Sequence, residues 1–254
     1  MHPILFKIGP ITVYTYGVMA ALGILFGSLI LMKLAEREGL NTKDVADTAF
    51  WTVLAGVVGA RVFFFLYNPE YLTPWYRLFF FWEGGLVWYG GVLFGALTAV
   101  YFIKKRNIPF WKFADIVSIP LSVGLGFGRI GCTMAGCCYG KVCHSPFSIV
   151  FKDPHSAAPL GIPLCPTQPL SAAANFAIAG LLYLLYKKRR APGETFGFYL
   201  TLYGTFRFFI EFLRATPKEL LGLFSNNQAI SIIMVAVGTL ILIHRRRLKV
   251  GGNL

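Results

Sequence analysis

Seven stretches of this chain, roughly 11–35, 46–67, 86–103, 111–130, 168–186, 195–213 and 227–244, are apolar for long enough to cross about 30 Å of hydrocarbon as helices. Composition agrees: 56% of the 254 residues are hydrophobic, 14% are charged and the mean hydropathy is +0.62. Such a chain is a polytopic membrane protein and not a soluble core. The first run is too long for a signal-peptide core, has no basic segment before it and no clear small-residue cleavage pattern after it. It is therefore expected to stay in the mature protein. The expected architecture is all-α, with seven transmembrane helices in one domain covering residues 1–254.

A net charge of +13 suggests nucleic acid in a soluble chain, but here the basic residues cluster in short loops. The loops after the first, third, fifth and seventh runs carry Lys33, Arg37, Lys43, Lys104 to Arg106, Lys187 to Arg190, Arg245 to Arg247 and Lys249, fourteen of the chain's 24 basic residues. The alternate loops are longer and hold only Lys7, Arg77, Arg129, Lys141, Lys152, Arg214 and Lys218. The positive-inside rule then predicts an outer N-terminus and a cytoplasmic C-terminus. No nucleic-acid partner is expected.

Two arginines, Arg61 and Arg207, sit well inside their runs, and Arg129 closes the fourth. At about 1.5 Å per helical residue, Arg61, Arg207 and Arg129 lie roughly 22, 18 and 27 Å from the cytoplasmic ends of their runs, all in the outer half. Tyr16 and Tyr89 lie about one to two turns from the outer face, at a similar level. A guanidinium at that depth is costly unless something anionic meets it. A snorkelling arginine or an interfacial tyrosine explains each residue singly. Together they predict a cationic cavity open to the outer leaflet, suited to an anionic lipid phosphate. In the sixth run, Tyr203, Arg207, Glu211 and Arg214 are spaced by four, four and three residues, which predicts one shared helix face with Glu211 paired to either arginine. That face serves either as a structural ion-pair ladder or as a binding arginine oriented by its glutamate.

The stretch from Gly128 to Cys143, GRIGCTMAGCCYGKVC, sets Arg129 among Gly128, Gly131, Gly136 and Gly140. It opens the longest outward loop, at about 131–167. Near the outer end of the third run, Glu83, Tyr89, Gly90 and Gly91 form a second glycine-rich group, where paired glycines signal close helix packing or room for a headgroup. Cys132, Cys137, Cys138 and Cys143 are spaced C-x4-CC-x4-C, with Cys165 at the far end of the loop. Structural disulfides fastening the outer loop, small apolar packing and thiol redox chemistry are all open readings of that spacing. It matches no recognised zinc pattern, and neither metal nor cofactor is expected.

Taken in order, Tyr16-Gly17, Gly59-Ala60-Arg61, Tyr89-Gly90-Gly91, Gly128-Arg129-Ile130-Gly131 with Tyr139-Gly140, Pro166-Thr167-Gln168 and Arg207 to Arg214 resemble the prolipoprotein diacylglyceryl transferase family over nearly the whole chain. The Gly-Arg-Ile-Gly signature is the most specific element, and its place after an Asp115-containing helix fits. The resemblance implies a seven-helix enzyme of the bacterial inner membrane, with a periplasmic N-terminus and an active site facing the outer leaflet. It implies transfer of a diacylglyceryl group from phosphatidylglycerol to the lipobox cysteine of preprolipoprotein signal peptides, with glycerol phosphate leaving. Arg129 and Arg207 would hold the phosphate, Arg61 or Arg214 would support or gate it, and Tyr16 and Tyr89 would serve the headgroup and thiol. Gly90, Gly91, Gly140 and Glu211 complete the expected substrate-binding set.

The chain departs from the family pattern where protons are handled. Many members have His-Gly-Gly in the third span where this chain has Tyr89-Gly90-Gly91. An asparagine and a glutamate of the signature are replaced by Cys132 and Cys137, and the acidic position after Pro166-Thr167-Gln168 is Ser171. Two other functions are therefore carried beside the transferase: a periplasm-facing thiol-disulfide protein, and a non-catalytic paralogue that binds anionic membrane lipids.

Overall fold

The computed structural model describes residues 2–9, 11–72, 76, 85, 87–216 and 224–250. A short hairpin opens the chain: β1 (Ile4–Ile8) pairs antiparallel with β2 (Ile11–Tyr14), Ile4 opposite Tyr14 and Lys7 opposite Thr12. The first apolar run thus begins as a strand and turns helical only at Thr15. Gly9, at φ +56°, makes the turn, and the stretch after it is rich in β-branched residues, which favour a strand. The Thr15 amide donates to the Pro3 carbonyl at 2.9 Å and its hydroxyl to the His2 carbonyl at 2.5 Å, tying the hairpin to the helix that follows.

Among the described residues seven long helices follow: α1 (Thr15–Arg37), α2 (Thr42–Tyr67), α3 (Trp88–Lys105), α4 (Phe110–Ala135), α5 (Thr167–Lys188), α6 (Glu194–Ile210) and α7 (Asn226–Val250). Five of them, α1, α2, α4, α5 and α7, are long and apolar enough to cross a membrane. The shorter α3 and α6, of 18 and 17 residues, fall outside that set. The sixth predicted run extends to 213, but α6 ends at Ile210, Glu211–Leu213 form a single 3-10 turn and Arg214 is extended. The expected helical face therefore stops before Glu211.

The chain divides into two compact units, with the division falling inside α1 and α4. The unit of Met32–Phe113 is built on the α2–α3 pair. A Cβ added to Gly59 would lie 2.6 Å from the Gly90 carbonyl oxygen, and one on Gly91 would lie 3.3 Å from that of Gly56. These glycines let the two backbones meet, the usual device for joining helices where lipid removes the hydrophobic drive. At the other end of the pair, Arg106 after α3 reaches Asp44 at 2.5 Å and Asp47 at 2.9 Å, both in the first turns of α2.

The other unit, Met1–Leu31 with Ala114–Leu254, holds the rest of α1 and α4 together with α5, α6 and α7. Phe26 of α1 stacks on Phe127 of α4, with ring centroids 5.3 Å apart. Asp115 is wholly buried and accepts from the amides of Gly193 at 2.7 Å and Phe196 at 2.9 Å, with Arg189 at 3.5 Å. A carboxylate from α4 thus satisfies the orphan donors that begin α6, a cap supplied from another helix. This assigns Asp115 a structural role.

The connection from 136 to 166 is folded. Its β3 (Ile149–Val150) and β4 (Pro163–Leu164) pair antiparallel, and Phe151, Ala158 and Leu164 form a small core with Tyr139 and Ile149 packed against it. Cys143 is disulfide-bonded to Cys165, while Cys132, Cys137 and Cys138 are free. The loop is fastened by a disulfide, and Cys165 supplies the second sulfur. Replacing Cys143 and Cys165 together by serine is expected to cost about 3 kcal/mol, from the chain-entropy cost of releasing a loop of this length. Melting curves with and without reductant check this: the wild type should lose stability on reduction and the double variant should not respond.

Candidate active site

Six of the residues singled out from the sequence fall in the unit that holds α4 to α7. Tyr16 is in the first turn of α1, where its ring packs on Gly131: a Cβ there would lie 3.0 Å from the ring's Cδ2. Arg129 is in the last two turns of α4 and Arg207 in the last turn of α6. Glu211 lies in the 3-10 turn after α6, and Arg214 in the extended segment after that. Gly140 bridges to Arg214 as an isolated β-pair, and the Lys141 amide donates to the Leu213 carbonyl at 2.9 Å. A Cβ on Gly140 would lie 2.6 Å from the Cys165 carbonyl oxygen and 2.8 Å from that of Leu213, so only glycine fits between these two strands of chain. That close approach is why Arg214 is extended and not helical.

Glu211 is the hub. Its side chain is 1% exposed, Arg207 meets it at 2.7 Å and Arg214 at 4.0 Å. It also accepts from the Thr216 hydroxyl at 2.7 Å, the Asn227 amide at 2.9 Å and the Ser225 hydroxyl at 3.3 Å. The pairing expected from sequence is present, on a turn instead of a helix face. Thr216, Ser225 and Asn227 carried no sequence signal, because they follow the apolar run and reach Glu211 only through the fold. Arg129 lies within electrostatic range of Arg207, Tyr203 and Tyr16. Among the described residues Arg129 meets no carboxylate, while Arg207 and Arg214 share the buried Glu211.

The three free cysteines lie in the same group. Their sulfurs are all within 4.8 Å of one another, and the Arg129 guanidinium lies within electrostatic range of the Cys138 sulfur. Cys132 is buried in α4, Cys137 is half-buried and Cys138 is exposed. Cys138 has φ +59°, a left-handed conformation uncommon outside glycine, which aims successive side chains differently from a regular turn. Thr167 and Gln168, at the start of α5, hold this bend. Their side chains donate to the carbonyls of Cys138 at 3.2 Å and Cys137 at 3.1 Å. Hydrogen bonds from Cys132 and then Cys137, with positive charge from Arg129 and Arg214, hold the Cys138 thiol well below the ordinary thiol range against the opposing effect of burial. The resemblance had given Pro166-Thr167-Gln168 no function; its polar side chains act as a clamp on the cysteine backbone.

The remaining candidates belong to the α2–α3 unit. The Arg61 side chain is buried, donates to the Gly85 carbonyl at 3.2 Å and lies over the rings of Phe65 and Phe64, 4.8 and 5.6 Å from their centroids. Tyr89 is 46% exposed at the start of α3, edge-on to Trp88. Gly90 and Gly91 sit in the α2–α3 contact described above. Glu83 lies outside the described residues.

Buried arginines gathered at one end of helices long and apolar enough to cross a membrane define a polytopic membrane protein with polar groups set inside it. A family model described as prolipoprotein diacylglyceryl transferase matches residues 3–244. The chain is similar to the phosphatidylglycerol–prolipoprotein diacylglyceryl transferase of Clostridium tetani, 33% identical over 94% of this chain and 95% of the relative. It is also similar to the second such transferase of Clostridium perfringens, 36% identical over 98% and 97%, and to that of Geobacter sulfurreducens, 34% identical over 99% and 98%. The chain belongs to the prolipoprotein diacylglyceryl transferase family.

Proposed function

We propose that this protein transfers the diacylglyceryl group of phosphatidylglycerol to the lipobox cysteine of preprolipoproteins, forming a thioether and releasing glycerol phosphate. The observation that carries the reading is the buried pairing of Arg207 and Arg214 with Glu211, with Arg129 within electrostatic range of Arg207, a concentration of positive charge that suits a lipid phosphate. Displacement at the glycerol carbon leaves charge on the phosphate, and fixed guanidiniums stabilise that charge as it develops. Arg129 and Arg207 hold the phosphate, Arg214 supports it, Tyr16 orients the headgroup or thiol by hydrogen bonding, and Gly140 keeps the Arg214 segment in place. In the α2–α3 unit, Tyr89, Arg61, Gly90 and Gly91 are assigned to substrate by the family resemblance, and the single family match across 3–244 supports reading the chain as one transferase domain. Complementation of a transferase-depleted bacterium, scored by lipidation of a resident lipoprotein, tests this. Inserted protein that yields no lipidated product would move the assignment to a lipid-binding paralogue.

The same reading places the protein in the bacterial inner membrane with seven spans, α3 and α6 included, the N-terminus periplasmic and the site facing the outer leaflet. The support is the distribution of basic residues. Reporters fused after Lys188 and near His155 are expected to read cytoplasmic and periplasmic respectively. The same compartment at both sites would remove α5 as a span.

A further inference from the structure

Three free thiols with their sulfurs within 4.8 Å of one another need a purpose that the phosphate site does not supply. We propose that Cys132, Cys137 and Cys138 bind one zinc ion as thiolates, and that its fourth position takes the thiol of the acceptor peptide. This rests on the transferase reading and departs from the expectation drawn from spacing alone, which fitted no zinc pattern. The fold brings together what the spacing does not show.

The geometry favours a metal over a disulfide. Tetrahedral zinc at about 2.3 Å from each sulfur sets neighbouring sulfurs about 3.8 Å apart. The three sulfurs, all within 4.8 Å of one another, need only small side-chain rotations to reach that spacing. Cys137 and Cys138 are adjacent, and the roughly 3.8 Å between Cα atoms across a trans peptide is shorter than disulfides use. Any other pairing leaves one thiol over. The oxidised pair in this loop is formed elsewhere, between Cys143 and Cys165. The ligands are also held in advance: Cys132 by the last turn of α4, and Cys137 and Cys138 by the Gln168 and Thr167 clamps on their carbonyls. Arg129 and Arg214, both within electrostatic range of Cys138, offset the negative charge of a zinc trithiolate. Three protein ligands and one open position are the pattern of a catalytic and not a structural zinc.

The chemistry meets a need of the transfer. A thiolate, not a thiol, attacks carbon, and a free cysteine is mostly protonated at neutral pH. Among the described residues no histidine hydrogen-bonds a site arginine, tyrosine or thiol, so no imidazole base is in place there. A thiol that coordinates zinc is deprotonated, its proton passing to solvent. The bound sulfur then forms a C–S bond to the glycerol C3 of phosphatidylglycerol as the C3–O bond breaks. The electron pair leaves with the phosphate oxygen as glycerol phosphate, and the neutral thioether dissociates from the metal.

The test uses the full-length protein in detergent, reduced, stripped of metal and titrated with Co2+ as the spectroscopic stand-in for Zn2+. Binding of one ion per chain, with sulfur-to-cobalt charge transfer and the visible bands of a tetrahedral thiolate site, is expected. Cys138→Ser, at an exposed position, should weaken binding and lower transfer about 100-fold, as losing the means of thiol activation does. The Cys143→Ser/Cys165→Ser variant should bind cobalt as the wild type does. A lipobox peptide should alter the cobalt bands, and its cysteine-to-serine counterpart should not. Absence of stoichiometric cobalt, or unchanged bands in Cys138→Ser, would overturn the metal site. Wild-type transfer by metal-free protein would overturn the role of the metal and keep the transferase. Bound, peptide-responsive cobalt with no transfer to any peptide would overturn the transferase and keep the metal site.

Discussion

Arg129→Lys and Arg207→Lys are each expected to lower transfer about 100- to 1000-fold, the usual cost of removing one fixed donor from a developing anion. Lysine keeps the charge and discards the planar fork that meets a phosphate with two parallel hydrogen bonds. At Arg129 the loss is compounded, because its guanidinium also faces the Cys138 sulfur within electrostatic range and no described carboxylate holds it in position. Insertion should be unchanged, since net charge and the apolar run are both kept. The comparison is of transfer from labelled phosphatidylglycerol at equal membrane abundance. Wild-type rates in both variants would make these arginines structural anchors.

Glu211→Gln is expected to cost more in stability than either arginine change. The carboxylate accepts from Thr216, Asn227 and Ser225 and faces two guanidiniums, with its side chain 1% exposed. Glutamine keeps the shape, removes the charge and turns an NH2 donor toward other donors. Unpairing a buried charge in this way costs about 3 to 5 kcal/mol. Transfer should fall about 100-fold even at temperatures where the variant is folded, because Arg207 loses the partner that orients it. A melting curve and a transfer assay on one preparation separate the two effects. A stable variant with full transfer would show that the arginines need no hub.

Much of the fold was legible because membrane helices announce themselves by length and apolarity. The helices match the apolar runs to within a few residues at most ends, and the exceptions have local causes. Ile11 to Tyr14 is apolar enough to be absorbed into the first run, yet it pairs with Ile4 to Ile8. Helical spacing from Tyr203 to Arg214 carried the periodicity past Ile210, where pairing of Arg214 with Gly140 takes the chain out of the helix. Both are tertiary contacts that overrule a local pattern.

The site was legible in its charges and not in its neutral partners. A deep arginine stands out in an apolar run, whereas Thr216 and Ser225 look like any loop residues, and Asn227 like any helix start, until Glu211 is placed among them. Cysteine pairing was beyond reach, since spacing does not fix connectivity. Cys143 pairs with Cys165 across 22 residues, and the cluster that remains is brought together by α4, the Gly136 turn and the α5 clamp.

In the proposed reaction one membrane site brings a lipid phosphate and a peptide thiol together. The most direct measurement incubates the purified protein in detergent with phosphatidylglycerol labelled in an acyl chain and a peptide carrying a lipobox cysteine. The expected result is labelled peptide joined through a thioether stable to reductant and hydroxylamine, glycerol phosphate released in equal amount, and no product from a peptide with serine at that position. Folded protein that yields no labelled peptide, or a product released by reductant, would contradict it.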